Sequence, residues 1–194
     1  MITNIFNNSI NSAHTGILLG ESNYNEIKAN HVYSNSFQGF LMLNCSKNML
    51  ISNTVEKNNF GVYLKNSNNN TLRSNMVSKN LEGVCFQNSS GNKLYNNEIS
   101  YNERYGIDTC ECKDNNEYNM NRIKNNVVGF YIEESNDNLT GENLLENNGK
   151  NIEKASPTNV EKASPTNVLS LIFTVVAFIV FLLFIVVSFK NKKL

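Results

Sequence analysis

Apolar residues along most of this chain recur in short alternating runs separated by polar corners, and the pattern repeats every 22 or 23 residues. Gly61–Glu82, GVYLKNSNNNTLRSNMVSKNLE, is one period. Gly61 opens it, Val62 and Leu64 flank Tyr63, and single apolar positions come after them at Leu72 and Val77. Gly83-Val84-Cys85-Phe86 then begins the next period, and Gly16, Gly39, Gly106 and Gly129 open others. Behind these glycines, Ile17/Leu19, Phe40/Met42, Val62/Leu64, Val84/Phe86 and Phe130/Ile132 have the period-two spacing of a strand with one buried face. Ile27, Leu50, Leu72, Leu94 and Tyr118 mark a second short strand. Val32, Val55, Val77, Ile99, Ile123 and Leu145 mark a third. No segment before residue 168 has helical spacing.

Three short strands per period, each coil lying ~4.8 Å above the last, predict an all-β fold: a right-handed, single-stranded parallel β-helix of about 6–7 coils. A leucine-rich repeat has a comparable period but needs its own leucine pattern and a single Asn column. Here there are three Asn columns. The first runs Asn25, Asn48, Asn70, Asn92, Asn116 and Asn138; the second Asn30, Asn53, Asn75, Asn97, Asn121 and Asn143; the third Asn35, Asn58, Asn80, Asn102, Asn126 and Asn148. Asn tolerates positive φ at a corner, and its amide, stacked on itself, donates to one coil while accepting from another. The columns are therefore expected to be structural ladders. A Ser/Cys column (Ser22, Cys45, Ser67, Ser89, Cys112, Ser135) reads as a small-residue corner of the same kind.

The residues of Gly61–Asn80 and Gly83–Asn102, read as G-[IV]-x-[LF]-x-x-S-x-x-N-x-[IL]-x-x-N-x-[VI]-x-x-N, resemble the parallel β-helix repeats of NosD-type proteins. The wider group is that of carbohydrate-binding proteins and sugar hydrolases. The resemblance covers roughly residues 4–150. It implies the fold, and for function it implies either carbohydrate binding or an accessory role in copper handling.

The organisation along the chain is set by where the rhythm stops. Residues 1–152 are expected to form the β-helix. They start in mid-coil, because Ile5, Asn8 and Ile10 occupy second- and third-strand positions. The start has neither a charged segment nor an apolar run, so it reads as a truncated copy or fragment of an exported protein. Residues 153–167 form a spacer around EKASPTNV written twice in tandem. Val168–Phe189 carries no charge and is long enough as a helix to cross ~30 Å of hydrocarbon. Residues 190–194 hold Lys190, Lys192 and Lys193, which place a short tail in the cytoplasm and the β-helix outside.

Charge and chemistry narrow the function. With 17 basic and 17 acidic residues the chain has no net charge, so nucleic acid is not an expected partner. The soft donors do not converge: Met42 points inward, Cys45 sits at a corner, Met49 points outward, and His14 and His31 stand alone. Cys45 and Cys112 lie three coils apart, ~14 Å, beyond disulfide reach. No metal, cofactor or catalytic residue is expected. Carboxylates near coils five and six (Asp108, Glu111, Asp114, Glu133, Glu134) and the bases Arg104 and Arg122 read as scattered charges. What stands out is the outward column of the first strand, where Leu18, Leu41, Tyr63, Asp108 and Tyr131 form a stripe suited to sugar rings or a surface protein. The expected function is non-catalytic binding of glycans or surface molecules, with a copper or cofactor accessory and a piece of a polysaccharide lyase or hydrolase as the alternatives.

Overall fold

The computed structural model describes residues 4–112, 116–133, 137, 139 and 141–155. The proposed membrane segment Val168–Phe189 lies outside the described residues. Among the described residues no helix is long and apolar enough to cross a membrane.

Within the described residues, twenty short strands stack into three parallel sheets that close a right-handed β-helix of about six coils. Six-residue strands build most of the first sheet: Thr15–Gly20, Gln38–Leu43, Phe60–Lys65, Glu82–Gln87, Tyr105–Cys110 and Val128–Glu133, ending on Lys150–Lys154. The other two sheets are made of three-residue strands such as Thr71–Arg73 and Met76–Ser78. Every pairing joins a strand to its equivalent one coil away, so the inward residues stack in files. Ile17, Phe40, Val62, Val84, Ile107 and Phe130 form one file, and Leu19, Met42, Leu64, Phe86, Thr109 and Ile132 form another. Asn4–Phe6 and Ser9–Asn11 already pair with the next coil as second and third strands. Inside the solenoid the files of the three sheets pack against one another, as where Tyr118 meets Phe86 and Phe130 edge-on, while each coil touches only the coils above and below, which is why the period is so strict.

The ladders are built as the amide chemistry requires. Asn75 Nδ2 donates to Asn97 Oδ1 (3.0 Å) and to the carbonyl of Leu50 (2.8 Å). Its own Oδ1 accepts both the backbone N–H and the side-chain N–H of Asn53, at 2.9 and 3.0 Å. Each buried amide thus satisfies a backbone N–H of one coil and a carbonyl of another, groups that the corners would otherwise strand. The same pattern holds along Asn25–Asn48–Asn70–Asn92 and Asn35–Asn58–Asn80–Asn102. Ser67 and Ser89 play this part in the small-residue column, where Ser89 Oγ caps the N–H of Ser67 and Cys45 caps carbonyls through Sγ.

One expectation needs correcting, and another falls partly outside the described residues. The ladder asparagines do not occupy the left-handed corner. Positive φ falls on the residue just before each of them, such as Tyr24, Ala29, Lys47, Ser52, Lys57, Ser74 and Lys79. Those residues are held there by the inward turn of the next Asn, and many have no amide of their own. In the first column, Asn116 bonds Asp137, while the expected Asn138 lies outside the described residues; Asp137 also accepts from the buried Tyr118 hydroxyl at 2.7 Å. Asp137 follows Asn116 by 21 residues, where Asn143 follows Asn121 by 22, and its carboxylate offers the acceptor the ladder needs. Ser135 likewise lies outside the described residues.

Candidate functional site on the long sheet

The outer face of the first sheet is three residues wide. One file runs Gln38, Phe60, Glu82, Tyr105 and Val128; the middle file Leu18, Leu41, Tyr63, Cys85, Asp108, Tyr131 and Glu153; the third Leu43, Lys65, Gln87, Cys110 and Glu133. All five residues of the expected stripe therefore stand in one file. Leu18 is 60% exposed and, with Leu41, lies below the rest. Tyr63, Asp108 and Tyr131 surround a more polar centre at Cys85.

Glu82 reaches this centre because strict alternation breaks at the opening glycine. Val84 and Phe86 point inward and Cys85 outward, so period two would turn Glu82 inward. The pairing skips Gly83, however, passing from Glu82↔Tyr105 to Val84↔Ile107. A Cβ on the equivalent Gly61 would lie 2.7 Å from Val77 Cγ1 and 2.9 Å from Asn80 Nδ2, so the glycine itself faces the interior. Glycine and the next residue both face in, and the residue before them is released to the outer face.

There, donor atoms of Glu82, Cys85 and Asp108 all lie within 4.8 Å of one another. Glu82 is only 5% exposed and accepts from Arg104 Nη1 at 3.0 Å. The Arg104 guanidinium in turn lies 4.4 Å from the centroid of Tyr105, whose ring stacks on Tyr131 with centroids 4.4 Å apart and planes 10° from parallel. On the other side, Tyr63 stacks on Phe60 and its hydroxyl donates to Gln87 Oε1 at 2.5 Å. Asp108 Oδ2 accepts weakly from Cys85 Sγ at 3.8 Å, and Asp108 Oδ1 is buried with no hydrogen-bond partner.

Crowding of acids under poor solvation sets the protonation of this centre. Burial, then the charges of Glu82 and Glu133, push the Asp108 carboxyl up to about 7, against the pull of Cys85 and Arg104. Burial also raises Glu82, with Arg104 opposing it. The Cys85 thiol is pushed far up by burial and by Asp108 and Glu82, which favours its protonated form in the metal-free protein at neutral pH. Burial, and after it the charges of the surrounding thiols and carboxyls, lifts Tyr63 to about 12.

Sequence reasoning placed Asp108, Tyr63 and Tyr131 on this face and treated Arg104 and Glu133 as scattered charges. It missed Glu82, whose only signal is its place before a coil-opening glycine. Arg122 pairs with Glu146 on another sheet, and Asp114 and Glu134 lie outside the described residues. All four cysteines are free.

The fold is similar to that of known β-helix enzymes. The periplasmic alginate epimerase AlgG superposes with a TM-score of 0.54 at 19% identity, over 79% of this chain and 39% of that one. The A-module of the Azotobacter vinelandii mannuronan C-5 epimerase AlgE4 gives 0.51 at 15% identity, over 78% of this chain and 57% of that one. This chain thus spans about two fifths of AlgG, and the likeness establishes architecture alone. No curated protein matches. The sequence profile of a family described as periplasmic copper-binding protein (NosD) matches residues 4–168.

Copper in its reduced form calls for several soft donors together. Among the described residues these remain apart: Met42 and Cys45 are buried within the solenoid, Met49 and Met76 lie on the other two sheets, and His31 bonds Glu56. The Glu82–Cys85–Asp108 group, with one sulfur, two carboxylates and an orphaned oxygen, fits a divalent cation better than Cu(I). The fit to the profile over most of its length, the Asn-laddered coil and the three-sheet solenoid together make this chain a member of the NosD family.

Proposed function

We propose that this protein works outside the cytoplasm, anchored by Val168–Phe189, as a β-helix that binds carbohydrate on the outer face of its long sheet without turning it over. The observation that carries this reading is the run of rings along that face. Tyr63 and the Tyr105/Tyr131 stack lie on either side of a polar centre, and flat aromatic surfaces flanking fixed hydrogen-bonding groups are what a pyranose ring requires. Gln87, Arg104 and the carboxyls supply donors and acceptors for sugar hydroxyls. The periplasmic setting named for the family, and the polysaccharide chemistry named for AlgG and AlgE4, support the same direction.

A glycan array probed with the full chain in detergent tests this reading. Retention of a defined set of glycans is expected. Tyr131→Ala should weaken that retention by roughly 5-fold, the equivalent of about 1 kcal/mol of ring contact. No glycan retained, or retention indifferent to both Tyr131→Ala and Tyr63→Ala, would remove it. Release of shortened or altered glycan would make the protein an enzyme instead.

A further inference from the structure

We propose that Glu82, Cys85 and Asp108 form a binding site for a divalent cation of the zinc class, set into the long sheet between Tyr63 and Tyr131. The three donor atoms are mutually within 4.8 Å. A point within about 2.8 Å of all three therefore exists, and closing by about 0.5 Å to the sulfur and about 0.6–0.8 Å to the oxygens reaches zinc bond lengths. Cys85 and Glu82 are almost fully buried, so the donors are held by the sheet and not by mobile surface chains.

The second observation is Asp108 Oδ1, buried and unpartnered among otherwise satisfied buried side-chain atoms of the described residues. A native structure seldom leaves such an oxygen without a reason, and a place kept for an ion is one such reason. The charges agree. Among the described residues, Glu82, Asp108 and the neighbouring Glu133 face one nearby cation, Arg104, which is already bonded to Glu82. Loading the site would form a metal–sulfur bond and send the Cys85 proton to solvent, with no change of oxidation state. Three protein donors leave at least one coordination position for water or a ligand on the open side.

The donor set also decides which metal. A thiolate selects zinc-like ions over magnesium or calcium, and two carboxylates with one sulfur suit Cu(I) poorly. The family description names copper, so the site of this chain departs from what that description implies.

The test uses the metal-free full chain in detergent with no sugar present, so its outcome is independent of the glycan reading. Cd²⁺ serves as the probe, since a cadmium–thiolate bond absorbs in the ultraviolet. A single equivalent should saturate the absorption, Zn²⁺ should displace it, and Ca²⁺ should not. Cys85→Ser should abolish the band, whereas Cys110→Ser, one coil away, should retain it. Asp108→Asn, close in shape, should weaken binding at least ~10-fold, since even outer-shell changes at metal sites reach that size. Each variant is checked for the strand spectrum by circular dichroism. If Cys85→Ser does not fold, the Asp108→Asn affinity decides. Absence of the band in folded wild-type protein, a band that depends on Cys110, or unchanged affinity in Asp108→Asn would each overturn the proposal.

Discussion

The corners and the long face of this solenoid both bury polar side chains, but in opposite ways. At the corners, Asn75 makes four side-chain bonds, two to backbone groups that the fold has already stranded and two to the amides of the next ladder residues. On the face, Glu82 and Asp108 crowd acid beside acid, and Asp108 Oδ1 is left with no partner. Buried polarity at the corners holds coils together; buried polarity on the face costs stability and keeps a chemical site ready. The ladder is the part every coil repeats. Among the described residues the acid–thiol group is made once, where coils four and five meet.

The sharpest break of this contrast is Asn75→Ala. It strands the backbone N–H of Asn53 and the carbonyl of Leu50 inside the solenoid. At about 1 kcal/mol for each lost bond, with more for the groups left unpaired, urea denaturation should show a loss of about 3–5 kcal/mol. A loss under about 1 kcal/mol would mean that water replaces the amide and that the ladder is not the mortar described. Next in size is Gly61→Ala, whose Cβ would meet Gly83 O at 2.5 Å and Val77 Cγ1 at 2.7 Å. The same measurement should show about 1–3 kcal/mol of destabilisation from overpacking. A neutral result would show that the coil opens easily at its glycine.

The smallest effect should have the opposite sign. Asp108→Asn removes a poorly solvated carboxylate from beside Glu82 and gives the half-buried position a neutral amide. In metal-free protein this variant should gain about 1 kcal/mol, read as a higher midpoint in the same urea titration. A loss instead would place Asp108 with the ladder residues, as a structural group. The three substitutions together sort buried polar groups into those the fold needs and those it tolerates.

Much of the architecture was legible in the residues. The glycine interval, the inward files and the three Asn columns all reflect contacts between equivalent positions one coil apart, so a repeat in sequence maps directly onto a repeat in space. The left-handed corner was less legible. It falls on Tyr24, Lys47 or Ser52, residues that share only their place ahead of a ladder asparagine. Asp137 was also hidden, since it stands 21 residues after Asn116, off the 22-residue step of the neighbouring columns, and the bond from Asn116 shows where the column resumes.

The candidate site divides along the same line. Leu18, Leu41, Tyr63, Asp108 and Tyr131 could be placed in one outward file because alternation within a strand is a local rule. Glu82 could not, since period two assigns it to the other face, and only the packing of Gly83 against the interior reverses that. Sequence by itself determined the coil, its inward files and the ladders, because each arises from short-range stereochemistry repeated without change. Tertiary structure alone decided that Glu82, Cys85 and Asp108 meet between Tyr63 and Tyr131, because that meeting depends on one broken alternation and on the register between two neighbouring coils.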